Sequence, residues 1–433
     1  MMHRSEGATT LLGMPEFVVG AQIDVGREWW LAVETTADVV GCDGCGTRAV
    51  GHGRRTVKVR DLPMADRSVV LVWAKRIWRC PDPDCEITTW SEEVDEIAPR
   101  AALTERARAE VCRLVGEVGR SVAEVARSFG VSWHTAMAAV RDHGRPRVDH
   151  LSRLGAPTAL GLDETAFLSA NVEHRTLLVT GFVDLDRHRL LDVVEGRTAQ
   201  GVRGWLAARP APWLAAIETV TLDPYAGYAR GVADGLPHVD LVVDHFHAVR
   251  LANAALDDVR RRVQQDTLGH RGRRADPLYR IRRPLLVAHE RLTDRGWARI
   301  QAGLDAGDPD GQVGAAYLAK ELLREVYATR SLRQARRRLE RFYTHCHSAE
   351  ITELNRLAAT VRRWEHEILG WHRTGLSNGP TEAMNLLVKK IKRVGHGFRN
   401  FNNYRLRLLL HCGVEWHTAP VAAIRGRQPR LVA

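Results

Sequence analysis

The sequence predicts a multidomain α/β protein. Three observations carry that expectation. Two close cysteine pairs punctuate the N-terminal region, short helical patterns follow them, and from Leu160 onward strand-like and helix-like segments alternate around a long helical tract. A chain of 433 residues suits about three domains.

Composition bounds the classes. Hydrophobic residues make up 45% and charged residues 27%, the balance of ordinary folded domains. No apolar run approaches the roughly 20 residues that span a bilayer, so no membrane partner is expected. The first stretch, MMHRSEGATTLLGMPEF, lacks the apolar core and small-residue cleavage site of a signal peptide, and a cytoplasmic location is the default. The net charge of +11 favours a polyanionic partner, usually nucleic acid. Arginine richness also follows from a GC-rich genome, so the distribution weighs more than the total. Basic clusters at Arg260–Arg262, Arg271–Arg274, Arg280–Arg283, Arg336–Arg338 and Lys389–Arg393 place the expected phosphate contacts mainly in the second half.

Four of the seven cysteines form the pairs, Cys42 and Cys45 in GCDGCG and Cys80 and Cys85 in CPDPDC. Paired thiols in a cytosolic chain point to metal before disulfide. Each pair lies in a Gly-rich or Pro/Asp-rich turn that can fold two thiolates toward one ion, and four thiolates make a closed, structural zinc site. Between the pairs, Arg54–Leu62 and Ser68–Trp78 are strand-like. The expectation is a zinc-ribbon domain over residues 1–99, two knuckles holding a small sheet, with His52 at the surface rather than a fifth ligand. So small a module relies on its metal for much of its folding free energy. Four unrelated buried thiols are the alternative.

Residues 102–141 read as helices. In SVAEVARSFGVSWHTAMAAV, Val122, Val125 and Ala126 give the first helix an apolar face, Gly130 supplies a turn and Ser132 suits the N-cap of the next helix. That pattern predicts a helix-turn-helix domain over 100–145, presenting Trp133, His134 and Arg141 to a major groove. The alternative is a helical hairpin used only for packing. Residues 142–158, with two prolines and two glycines, read as a linker.

From Leu160 the periodicity changes. ALGLDETAF sets an apolar segment before Asp163, RTLLVTGFVDLD and HRLLDVVEG form a hairpin, and residues 199–208 are helical. ETVTLDPYAGYARGV delivers Asp223 at a strand end before a helix, and HVDLVVDHFHAVR does the same for Asp244. Strand, strand, strand, helix, strand, helix, strand is the order of an RNase H-like mixed sheet. Two carboxylates brought close on such a sheet repel each other unless cations lie between them. Two divalent ions ~3.5–4 Å apart satisfy both and do chemistry, and oxygen-only ligands select magnesium or manganese. The third carboxylate is Glu382, in the first turn of a helix opened by Ser377-Asn378-Gly379-Pro380, where the helix dipole favours an anion. Asn385, three residues on, can support it, and Lys389, Lys390, Lys392 and Arg393 form a basic stripe for the substrate backbone.

Bland readings stand beside these. Successive strand residues face opposite ways, so one of Asp163 and Glu164 reaches the metals; Asp163 is the choice. Asp223 and Glu382 alone read as ordinary helix-start acids. Asp184 and Asp186 are turn residues. Asp244 and His247, a DxxH at a strand end, either buttress the site or form a satisfied pair. His396 and Arg399 are phosphate contacts or plain surface charge. The stretch from Asp223 to Glu382 exceeds what a bare core of this type needs, so residues 265–370 are expected to be a helical insertion, bracing DNA or a second protomer. The catalytic domain is then 158–264 plus 371–415, followed by a tail at 416–433.

Across essentially its whole length the sequence resembles the ISL-three group of bacterial insertion-sequence transposases, within the DDE superfamily. The resemblance rests on the cysteine pairs, the helix-turn-helix, LDET at Asp163, TLDPYAGYAR at Asp223, VVDHFHAVR, and SNGPTEAMNLLVKKIKRVGHGFRNFNNYRLRLL around Glu382. It implies catalytic, metal-holding roles for Asp163, Asp223 and Glu382, and zinc at the four paired cysteines. It also implies terminal inverted repeats and target DNA as partners, at least a homodimer on DNA, and a nucleoid-associated location. Two other functions compete. A regulator derived from such an enzyme would have lost carboxylates, and all three are present. A plain nuclease has less need of two N-terminal DNA-binding modules.

Overall fold

Valine and tryptophan crowd the segment from Phe17 to Trp78. In the computed structural model, which describes residues 6–37 and 39–416, they build a sheet. The chain separates into two compact units, one made of residues up to Arg153 together with those from Val388 onward, the other of Leu154–Leu387.

The first unit opens with a short helix, α1 (Glu6–Leu12), and five strands: β1 (Phe17–Val25), β2 (Glu28–Thr35), β3 (Val50–Met64), β4 (Arg67–Arg79) and β5 (Thr89–Ser91). Their order is β1-β2-β4-β3, with β5 against β4. Only β2 and β4 run parallel. Period-two alternation sends Phe17, Val19, Leu31, Val33, Val59, Val69, Leu71 and Trp73 to one face, where Leu12, Met14 and Ile97 cover them. The strands expected between the cysteine pairs are β3 and β4, longer than read. β1 and β2 were not read at all.

Three helices follow: α2 (Glu105–Gly116), α3 (Val122–Phe129) and α4 (Trp133–Asp149). Thr104, Ser121 and Ser132 cap them, each accepting from a backbone N–H three residues on. Gly130 makes the turn between α3 and α4 at φ 64°. The linker expected from residue 142 begins instead after Asp149, since α4 continues through Pro146. Packing overrides the proline. A Cβ on Gly144 would lie 2.9 Å from Leu410, on a helix that reaches this surface from the end of the chain, and Val148 is buried one turn on.

In the second unit, β6 (Ala159–Leu168), β7 (Leu177–Asp184) and β8 (Arg189–Glu195) form an antiparallel meander. Helices α5 (Ala199–Ala207) and α6 (Ala211–Ala215) lead to β9 (Thr219–Leu222), and α7 (Ala226–Gly235) leads to β10 (Asp240–Val243). The sheet order is β10-β9-β6-β7-β8, with β9 parallel to both β6 and β10. The strands follow the expected order, with one helix more than expected, α6, before β9.

A helical tract then packs on the sheet: α8 (His245–Leu268), α9 (Pro277–Ile281), α10 (Asp294–Gly307), α11 (Gln312–Val326), α12 (Leu332–Ser348), α13 (Thr352–Arg363) and α14 (Glu365–Thr374). One continuous core runs from Leu160, Phe182 and Leu222 of the sheet to Leu323, Leu339 and Ile368 of these helices. Within the insertion expected at 265–370 the helices are broken by turns. Tight 3-10 turns precede α10, which starts where Thr293 caps it, and Ser331 caps α12 after a break. Helix α15 (Gly379–Val394) begins in this unit, and α16 (Phe401–Cys412), the helix against Gly144, returns to the first. Of the tail read at 416–433, residues 417–433 lie outside the described residues. Among the described residues no helix is long and apolar enough to cross a membrane.

Candidate active site and zinc site

Asp163 sits mid-strand in β6, and strand alternation separates it from its neighbour. Glu164 pairs with Arg197 at 2.6 Å, and that guanidinium stacks 3.8 Å over the Tyr225 ring. Asp163 faces the other way. Burial, then the like charge of Asp223, pushes its carboxyl up to about 6, against the opposing pull of the Glu164 amide and His247. Asp223 follows the last residue of β9, the strand beside β6, and is 6% exposed. Its Oδ1 is buried without a hydrogen-bond partner, and its Oδ2 lies 2.9 Å from His247 Nδ1.

His247 joins two of the acids. Its Nε2 lies 3.6 Å from Glu382 Oε1, so the buried ring stands between Asp223 and Glu382. The 2.9 Å contact to Asp223 is an ion-pair approach rather than an aligned hydrogen bond. Burial disfavours the charged ring, but the adjacent Asp223, with help from Asp163, more than offsets this and holds its pKa above the usual histidine value.

Glu382 is placed by the start of α15. Its N–H donates to Asn378 O at 3.0 Å. Asn378 is fixed in turn: its N–H donates to Asp244 Oδ1 at 3.0 Å, and its side-chain oxygen accepts from the Thr221 hydroxyl at 2.8 Å. Asp244 caps α8 with its other oxygen, accepting from Phe246 N at 2.9 Å. Asn385 was expected to support Glu382. Instead its amide donates to Asp163 Oδ2 at 2.5 Å, tying α15 to β6.

The donor set suits a hard cation. Asp163, Asp223 and Glu382 offer carboxylate oxygens, and Asp223 Oδ1 is a desolvated acceptor that nothing in the protein satisfies. Donor atoms of Asp244, His247 and Glu382 lie mutually within 4.8 Å. Both oxygens of Asp244 are committed to backbone amides, so it serves as a brace better than as a ligand. The bridging position of His247 had no sequence signal beyond DxxH spacing, and the Glu164–Arg197 pair had none.

The four paired cysteines converge as read. Their sulfurs lie mutually within 4.8 Å, with Cys42–Cys85 at 3.7 Å and Cys45–Cys80 at 3.5 Å. A tetrahedron with Zn–S of about 2.3 Å has edges of about 3.8 Å, whereas a disulfide needs about 2.05 Å. Backbone turns shape the first knuckle, Cys42 N–H donating to Thr47 O and Gly46 N–H to Cys42 O. Hydrogen bonds from Thr47 hold the Cys45 thiol below its ordinary range, and burial pushes Cys80 above it. His52 is exposed.

Trp133 and His134 stand exposed at the start of α4, their rings edge-on at 5.3 Å. Arg141 is half-buried, donating to Asn403 Oδ1 at 3.3 Å. Lys389, Lys390, Arg393, His396 and Arg399 are exposed and Lys392 is half-buried. Asp184 accepts from the N–H groups of Asp186 and Arg187, as a turn residue should.

The sequence matches known protein families. The family model for the ISL3 transposase domain, described as "Transposase", matches residues 160–408. A model described as the zinc-finger of transposase IS204/IS1001/IS1096/IS1165 matches 38–85, and the helix-turn-helix domain of transposase family ISL3 matches 92–144. The chain belongs to the ISL3 family of insertion-sequence transposases, with a DNA-binding helix-turn-helix and a structural zinc ribbon. Among its relatives, the transposase for insertion sequence element IS1001 of Bordetella parapertussis is 26% identical over 399 residues, covering 89% of this chain and 92% of that one. The transposase for insertion sequence element IS1557 of Mycobacterium tuberculosis is 28% identical over 303 residues, covering 65% and 66%.

Proposed function

We propose that the chain binds the terminal inverted repeats of an insertion sequence and cuts and joins DNA through Asp163, Asp223 and Glu382. One observation carries the reading: neighbouring strands bring Asp163 and Asp223 together while His247 links Asp223 to Glu382. The strand order, an antiparallel meander extended by two parallel strands, supports an RNase H-like domain. The three carboxylates would hold two magnesium or manganese ions, which when bound supply an activated attacking oxygen and charge stabilisation at the leaving one.

The protein's own residues prepare the site. Asn385 fixes the Asp163 carboxylate. His247 offsets charge between Asp223 and Glu382. One site serves both reactions, because hydrolysis and strand transfer differ only in whether water or a 3′-hydroxyl attacks. Trp133 and His134, with Arg141 nearer the packed face, read the repeat, and Lys389, Lys390, Lys392, Arg393 and Arg399 hold backbone phosphates. Pairing two element ends calls for a homodimer or larger assembly at the nucleoid. On this reading the domains are a zinc ribbon (1–99), a helix-turn-helix (100–145), a catalytic domain (158–264 plus 371–415), a helical insertion (265–370) and a tail (416–433).

The test incubates purified protein with a labelled duplex of the DNA end flanking this reading frame, with and without magnesium, for wild type, Glu382→Gln and Asp223→Asn. Metal-dependent 3′-end cleavage lost in both variants, with binding retained, is the expected result. Specific binding without cleavage under any divalent metal would overturn the catalytic reading in favour of a DNA-binding regulator.

A further inference from the structure

Helix α8 carries an aromatic ring and a cation beside the carboxylates, and neither is used above. Phe246 is 54% exposed. Its ring packs edge-on against His247, centroids 5.4 Å apart, and His247 stands between Asp223 and Glu382. Arg250, four residues on, shares that face of the helix. Its Nη2 lies 3.7 Å from Asp223 Oδ2 while its side chain is 62% exposed, a long ion pair that leaves the guanidinium fork open to another acceptor. On α15, Leu386 is 66% exposed one turn after Glu382 and adds an apolar side chain on the glutamate's stripe. A lone exposed phenylalanine means little. A phenylalanine against His247 and an arginine near Asp223, one turn apart on the same helix, match the two halves of a nucleotide.

We propose that Phe246 and Arg250 clamp the nucleotide next to the scissile phosphate, the ring stacking on its base and the guanidinium gripping a phosphate of the same strand. The clamp rests on the reading that DNA is cut at these carboxylates. Stacking on an aromatic ring tolerates any base, and unpairing costs least where the duplex is already open. The clamp therefore holds the strand without reading its sequence.

The test uses full-length protein and the element-end duplex with 5-iodouracil beside the cleavage position. Irradiation without magnesium, followed by mass spectrometry, is expected to place the adduct on Phe246, and Phe246→Ala to abolish it. With magnesium, Phe246→Ala should cleave about tenfold to a hundredfold more slowly, the worth of one stacked base. Phe246→Trp should keep near-wild-type cleavage, and an end with unpaired terminal bases should rescue Phe246→Ala. Arg250→Ala should lower the salt slope of end binding by about one. An adduct elsewhere, wild-type cleavage by Phe246→Ala, or an equal loss on unpaired ends overturns the clamp. If wild type forms the Phe246 adduct yet never cleaves, the base contact stands as DNA binding and the catalytic reading falls.

Discussion

A Cβ on Gly161 would lie 1.9 Å from the Thr381 hydroxyl oxygen. No side chain fits there, so β6 and the first turn of α15 meet at the only residue type that allows it. Glu382 follows Thr381 directly. Gly161→Ala must displace the Thr381 side chain and is expected to shift the start of α15, Glu382 included. Overpacking of this kind costs about 1–3 kcal/mol, and displacing a reacting group by about 1 Å costs about a hundredfold in rate. Thermal unfolding and end-cleavage rates measure both effects. Adding Thr381→Ala to the same chain should recover part of each, because it removes the clashing atom. Wild-type cleavage by Gly161→Ala would show that α15 does not position the glutamate.

The Asn385 amide makes a prediction of a different kind. It holds Oδ2 of Asp163, a carboxylate crowded by Asp223. Partners of this sort typically change metal affinity or activity by about 10–100-fold when removed. Asn385→Ala should raise the magnesium concentration needed for half-maximal cleavage by that order while leaving binding to the element end unchanged. A lower rate at saturating magnesium with an unaltered metal requirement would count against the positioning role.

Zinc removal tests the N-terminal module. Four thiols lie at tetrahedral spacing, and that unit's strands leave only a small core around Phe17 and Trp73. Cys45→Ser should lose bound zinc by elemental analysis, expose β3 and β4 to protease and weaken binding to the element end. Cys112→Ala, at a buried thiol far from the pairs in sequence, should keep its zinc. Full zinc retention by Cys45→Ser would remove Cys45 from the ligand set.

The parts legible in the sequence were those with local signals. Cysteine spacing marked the knuckles, Ser132 and Gly130 marked the turn between α3 and α4, and acids at strand ends marked Asp223 and Asp244. Long-range contacts were not legible. Pro146 argued for a chain break that packing at Gly144 overrides. Spacing assigned Asn385 to Glu382, whereas its amide crosses to a strand far away in sequence. β1 and β2 escaped because outward positions such as Val18, Ile23, Trp30 and Ala32 are apolar too, which hides the alternation of their inner residues.

Lys320 is fully buried in α11, where its Nζ donates to Leu285 O at 2.7 Å and Val287 O at 2.9 Å and lies 2.6 Å from Glu321 Oε1. Burial pushes its pKa below the usual lysine range, with Glu321 opposing. The segment it holds, between α9 and α10, consists of tight turns with no ladder of its own, so this ammonium anchors it. Lys320→Met matches the apolar stem but strands two carbonyls and one oxygen of the mostly buried Glu321 carboxylate, whose other oxygen keeps Arg324. Removing one partner of such a set costs about 3 kcal/mol. The expected result is a lower denaturation midpoint and faster proteolysis between Arg282 and Thr293. Glu321→Gln added to Lys320→Met should return part of the loss, since it removes the negative charge from an oxygen that has lost its ammonium while Arg324 holds only the other. Unchanged stability in Lys320→Met would mean that the desolvation cost of the ammonium already cancels its bonds, and that packing around Leu285 alone holds the segment.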